Sequence, residues 1–69
     1  MFTYVFTFEE IKDRKDALKV EGIVESDGES SCKCDYRKNE ATITTNYEIS
    51  DIYDDLKEEG YAVTDIEMI

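Results

Sequence analysis

Ser31-Cys32-Lys33-Cys34-Asp35-Tyr36-Arg37-Lys38-Asn39-Glu40-Ala41-Thr42-Ile43-Thr44-Thr45 is the stretch on which the fold turns. Residues 31–37 alternate, with Cys32, Cys34 and Tyr36 on one side. Lys38-Asn39-Glu40 turns the chain, and residues 41–45 return with Ala41 and Ile43 on one side. The two runs read as a β-hairpin, because period-two alternation on both sides of a polar turn is what a half-buried strand pair requires.

Outward from the hairpin, each flank repeats a helix–strand pair. C-terminal to it, Ser50 reads as an N-cap and Asp51 adds a negative charge to the first helical turn. Ile52, Tyr53 and Leu56 form an apolar stripe, Ile49 is placed to staple onto Tyr53, and Gly60 stops the helix before a strand from Tyr61 to Met68. N-terminal to the hairpin, residues 2–8 alternate with Phe2, Tyr4, Phe6 and Phe8 on one side and Thr3, Val5 and Thr7 on the other. A charged segment from Glu9 to Lys19 follows, with Ile11, Ala17 and Leu18 as its inward stripe and Gly22 as its stop. Residues 20–25 fit either a longer helix or the start of a strand, and Ser26-Asp27-Gly28-Glu29 is a turn.

The order is β-α-β-β-α-β, an α+β, ferredoxin-like arrangement. Right-handed crossovers place both helices on one face of a four-stranded antiparallel sheet. The open face then shows Thr3, Thr7, Lys33, Asp35, Arg37, Thr42 and Thr44. The absence of proline, linker and internal repeat fits one domain over residues 1–69.

A chain of 69 residues of this kind buries only about 60% of its unfolded surface, and its core supplies roughly 3–5 kcal/mol. Little length remains for an elaborate substrate pocket. The formal charge is −10, from 18 acids against 8 bases. Residues 1–19 are balanced, so the excess lies in residues 20–69. Direct contact with nucleic acid or anionic lipid is disfavoured, since phosphate contacts need Lys and Arg. Basic protein surfaces, cations and sites that ordinarily hold DNA are favoured, and solubility is the plain alternative. No apolar run approaches the ~18 residues of a membrane span. Met1 to Glu10 lacks the basic end and apolar stretch of a signal peptide, so a cytoplasmic protein with reduced cysteines is expected.

The segments Glu40–Thr45, Ile49–Ile52 and Leu56-Lys57-Glu58-Glu59-Gly60-Tyr61-Ala62-Val63 resemble the second half of heavy-metal-associated domains, the modules of copper chaperones and metal-transporting ATPases. Val20–Ser26 is similar to that family's link between its first helix and second strand. The resemblance covers about half the chain and implies a ferredoxin-like fold. Its metal loop, Met-x-Cys-x-x-Cys after the first strand, corresponds here to Phe8-Glu9-Glu10-Ile11-Lys12-Asp13-Arg14, which has no cysteine. No metal ligand carries over, and soft thiolate ligation at that loop is lost.

The remaining chemistry is sparse. Cys32 and Cys34, at i and i+2 on a strand, point the same way roughly 6.5 Å apart, which suits a mutual disulfide poorly. Together they offer a soft cation two thiolates, whereas zinc needs two further ligands and the chain has no histidine. The simpler reading is two small apolar side chains under the helices. Neither cysteine has a histidine base, no glycine loop cradles phosphate, and no spacing matches a calcium loop, so no enzyme and no cofactor is expected. Glu48, Asp51, Asp54, Asp55, Glu58 and Glu59 cluster on or beside the second helix, offset by Lys57, with Glu25, Asp27 and Glu29 adding a charged turn. This pattern points first to a non-enzymatic protein-binding module, an inhibitor or regulator of phage or mobile-element type that docks on a basic, nucleic-acid-binding surface. A metal-handling protein using Cys32 and Cys34 is the second reading. A self-associating regulatory domain, in the form of a homodimer, is the third.

Overall fold

A computed structural model describes residues 1–69. Strands β1 (Phe2–Phe8), β2 (Ser31–Asp35), β3 (Glu40–Thr45) and β4 (Val63–Met68) and helices α1 (Arg14–Glu25) and α2 (Ile49–Glu58) follow the order β-α-β-β-α-β. The strands form one sheet in the order β2-β3-β1-β4, every neighbouring pair antiparallel. This is the expected ferredoxin-like architecture.

Register sorts the side chains between the faces. Cys32 lies opposite Ile43, Ile43 opposite Tyr4 and Tyr4 opposite Met68; Cys34, Ala41, Phe6 and Ile66 form the next row. Residues directly opposite share a face. The core lies on this face: Phe6, Phe8, Ala41 and Ile43 of the sheet are buried against Ala17, Val20 and Val24 of α1 and Ile52 and Leu56 of α2. The open face carries the rows Ser31–Thr44–Thr3 and Lys33–Thr42–Val5–Glu67, with Thr3 and Thr44 hydroxyls 3.2 Å apart.

The first helix departs from the sequence reading at its N-terminal end, and at its C-terminal end it runs past Gly22 and takes the helical course of the two open to residues 20–25. Asp13 Oδ1 accepts the Asp16 N–H at 2.9 Å, so the helix starts at Arg14 and not at Glu9. Residues 9–12 form a connection tied across the molecule: Glu9 donates its N–H to Ala62 O at 2.9 Å, and Ile11 donates its own to Asn39 Oδ1 at 2.8 Å. Ile11 is buried, but from this loop. Residues 20–25 are helix, Gly22 lies within it, and Leu18 is 55% exposed. The buried period is Ala17, Val20, Val24. Burying two valines is worth about 1.5–3 kcal/mol each, which outweighs the roughly 1 kcal/mol that an interior glycine costs.

Two further boundaries differ. β2 ends at Asp35, not Arg37, because Asp35 Oδ1 accepts the Arg37 N–H at 3.0 Å and closes a turn. Asn39, at φ 55, occupies the left-handed position of that turn, a conformation Asn tolerates. Ser50 is not the N-cap of α2. Glu48 holds that place without a side-chain cap bond, and Ile49 is already helical. Ile49 therefore joins the buried face with Tyr53 one turn on, rather than stapling from outside.

Gly60 does stop α2. At φ 92 it donates its N–H to Lys57 O at 3.0 Å, while Tyr61 donates to Leu56 O at 3.0 Å, the paired bonds of a Schellman cap. Tyr61 is used in this closure and the Ala62 carbonyl accepts the Glu9 N–H, and β4 begins at Val63 and not Tyr61. Tyr61 packs edge-on to Phe8, ring centroids 6.4 Å apart.

The loops at the opposite end are linked by one hydrogen-bonded chain. Tyr47 N–H donates to Thr45 Oγ1 at 3.0 Å, the Thr45 and Ser30 hydroxyls lie 2.7 Å apart, and Ser30 Oγ donates to Asp27 Oδ2 at 2.6 Å. Thr45 and Ser30 are both buried, and the chain satisfies their hydroxyls.

Candidate functional site

The buried stripe of α2 fixes where its acids go. Successive residues advance about 100° around a helix, so placing Ile52 and Leu56 inward turns the carboxylates out. Glu48, Asp51, Asp54, Asp55, Glu58 and Glu59 are all exposed, as expected from the sequence. Asp55, Glu58 and Glu59 form one wall of a shallow groove whose other wall is Gly22 and Ile23 of α1 with its C-cap Ser26. Asp51, in the first turn, is favoured by the positive end of the helix dipole. Glu58 and Glu59 stand at the negative end, where only Lys57 is basic. Their placement costs the helix stability, which local helix chemistry does not explain.

The acidic turn before β2 is otherwise engaged. Asp27 Oδ1 accepts the N–H groups of Glu29 and Ser30, both at 2.8 Å. With the Ser30 hydroxyl as the largest influence, these bonds hold its carboxyl below the ordinary range. Glu25 Oε2 accepts the Cys32 N–H at 3.1 Å, and Glu21 Oε2 the Cys34 N–H at 2.8 Å. Glu25 and Asp27 are thus committed to backbone N–H groups, and the exposed Glu29 carboxylate faces the Tyr47 hydroxyl, whose titration its charge raises.

Cys32 and Cys34 are free thiols, half-buried on the helix-facing side of β2. Burial first, then the charges of the Cys34 thiol, Glu21 and Glu25, push Cys32 up to about 12. Burial, then Glu21 and Asp35, push Cys34 up to about 11. Both are protonated near neutral pH, so neither is a ready nucleophile. No three His, Cys, Asp or Glu side chains converge at metal-binding spacing. Where the resemblance places a metal loop, the structure places buried Ile11 and its bond to Asn39.

Sequence reasoning missed a second surface. Arg14 at the start of α1 meets Lys33, Arg37 and Lys38 of the hairpin around a broad depression, interleaved with Glu21, Asp35 and Glu40. Half of the chain's 8 bases gather there. Only the adjacency of Arg37 and Lys38 signals it in the sequence. The charge is therefore polarised, acidic along α2 and mixed at the hairpin end.

No helix is long and apolar enough to cross a membrane. No family model, curated protein or solved structure matches the chain.

Proposed function

We propose that the protein is a non-enzymatic binding module, an inhibitor or regulator in the cytoplasm that docks on a basic, nucleic-acid-binding protein surface through α2. The contacts are Glu48, Asp51, Asp54, Asp55, Glu58 and Glu59. The observation that carries this reading is the placement of Glu58 and Glu59. They are exposed at the helix end where the dipole opposes them. A surface selected for solubility alone has no need of charge there. Polarisation of the remaining charge supports a directional contact, since an even coat of acids orients nothing.

The test compares the protein with a variant in which all six acids become their amides. The partner is first identified by crosslinking, and its complex is then titrated from low to high salt. The expected result is steep weakening with salt, loss of at least about tenfold in affinity for the amide variant, and competition by nucleic acid for the same partner surface. Equal affinity of the variant, or indifference to salt, would remove α2 as the docking surface.

A further inference from the structure

The two edges of the sheet are finished differently. Antiparallel ladders alternate bonded and non-bonded pairs, so on an edge strand every second residue directs its N–H and C=O outward. Ile69 donates to Thr3 O at 2.9 Å, which makes Thr3–Ile69 a bonded pair and leaves Tyr4–Met68 and Phe6–Ile66 non-bonded. The N–H and C=O groups of Ile66 and Met68 therefore point away from the sheet. By the same alternation the outward amides of β2 are those of Cys32 and Cys34, and Glu25 and Glu21 accept both. No carboxylate does this for β4. Its one bulge lies at the Thr7–Phe8 end, residues 65–68 include neither Lys nor Pro, and the charges that guard this edge are Asp65 and Glu67 on its open face, which repel only an acidic strand.

The exposed apolar side chains gather at the same edge. Ile66 is 39% and Met68 63% exposed on the helix-facing side, with Phe2 56% exposed on that face of neighbouring β1. On the open face of the strand stand Asp65 and Glu67. A strand added here meets apolar side chains on one face and carboxylates on the other.

Those carboxylates select the occupant. A second copy pairing antiparallel about a two-fold axis centred on residues 65 to 67 brings Asp65 opposite Asp65, Asp65 opposite Glu67 or Glu67 opposite Glu67, according to register, and a centre at Met68 leaves only residues 67–69 to pair. Like charges directly opposite destabilise a strand pair. Each copy also carries a charge of −10. We infer that the outer edge of β4 binds, by strand addition, an extended segment of a partner protein in which apolar residues alternate with Lys or Arg. The apolar residues lie beside Ile66 and Met68, the basic ones beside Asp65 and Glu67, and main-chain bonds form to the Ile66 and Met68 amides. This inference stands on a different surface from α2 and does not depend on it.

The test uses the full chain, labelled for amide detection, and a capped peptide of about seven residues, the length of a typical strand, alternating valine and lysine. Binding is expected to protect the Ile66 and Met68 amides from hydrogen exchange and leave those of Cys32 and Cys34 unchanged. N-methylating the peptide amides that face β4 should weaken binding about tenfold or more, since it removes donors without altering charge. A glutamate-for-lysine peptide should not bind the native chain, and D65K/E67K should reverse that preference. Neutralising the α2 acids should change the affinity by less than about threefold, so failure of the α2 reading leaves this one standing. Equal binding of the methylated peptide, protection confined to α2, or no binding would overturn the inference. Protection of β4 by raised protein concentration alone, with a dimer in sedimentation, would overturn it in favour of a second copy.

Discussion

Glu21 on α1 accepts the backbone N–H of Cys34, on the outer edge of β2, at 2.8 Å. Glu25, one turn further along, does the same for Cys32 at 3.1 Å. Two side chains at i and i+4 on a helix match the two-residue repeat of outward amides on a strand, and together they close that edge. E21A/E25A removes both acceptors and exposes two donors on a strand edge. The double variant should lose about 1–2 kcal/mol in urea unfolding at unchanged m-value, while E21Q/E25Q, which keeps an acceptor oxygen at each site, should lose less. Sedimentation should show concentration-dependent association only for the alanine form, because it alone has an uncapped β2 edge.

The same glutamates help set the thiol chemistry, after burial. Cys32 and Cys34 begin from an ordinary value of 9.0 and stand at about 12 and about 11 in the folded chain. Between those limits the unfolded chain releases protons that the folded chain keeps, so deprotonation favours unfolding. The stabilising contribution is complete below pH 9 and is lost as pH rises through about 11 and 12. Urea midpoints should therefore be level near neutrality and fall above pH 9, and C32S/C34S should flatten that fall. A residual slope should remain from Tyr61, raised chiefly by burial, and Tyr47, raised chiefly by the charge of Glu29. At mildly alkaline pH, iodoacetamide should alkylate both thiols about ten- to a hundredfold more slowly than a free cysteine, the low thiolate fraction being partly offset by greater intrinsic nucleophilicity.

One substitution should have opposite signs at two glycines. Gly22 is a helical residue within α1, and a Cβ added there meets nothing within 4 Å. Gly60 is equally open, but its φ of 92 is the left-handed conformation that the Schellman cap requires. Gly22→Ala should stabilise by about 0.5–1 kcal/mol through helix propensity, and Gly60→Ala should destabilise by about 1–2 kcal/mol through backbone strain alone. Thermal melts separate the two, since 1 kcal/mol moves the midpoint of a chain this size by about 4–8 °C. Gly60→Asn should fall between Gly60→Ala and the parent.

The contrast between these glycines also shows what a sequence can disclose. The cap at Gly60 is local: the glycine follows an apolar stripe directly, and its partners Leu56 and Lys57 lie in the same helix. Gly22 follows an apolar stripe too, yet the helix runs on to Glu25 because Val20 and Val24 are buried beneath it. Burial is a tertiary property, so a local reading cannot choose between helix and strand for residues 20–25, takes Gly22 for a stop and turns Leu18 inward. Ser50 was misplaced for a related reason: its capping chemistry is sound, but Ile49 must be helical to share the buried face with Ile52 and Leu56. The exposure of the six acids was legible, since it needs only the period of α2. The capped edge of β2 was not, because Glu21 and Glu25 reach it only once α1 is known to extend that far.

Stability and docking should move in opposite directions at the end of α2. Glu58 and Glu59 sit where the helix dipole favours cations, and Lys57 is the only base there. E58K/E59K exchanges two unfavourable charges for two favourable ones and also reduces the repulsion of a chain with charge −10. The variant should gain about 0.5–1.5 kcal/mol at low ionic strength, and the gain should shrink at high salt. The same change places positive charge at the C-terminal end of the proposed docking strip, so affinity for a basic partner should fall by more than about tenfold. A stabilised variant that still binds as the parent does would show that these glutamates have no part in docking. A variant that loses both stability and binding would show that the pair supports α2 in a way the dipole argument misses.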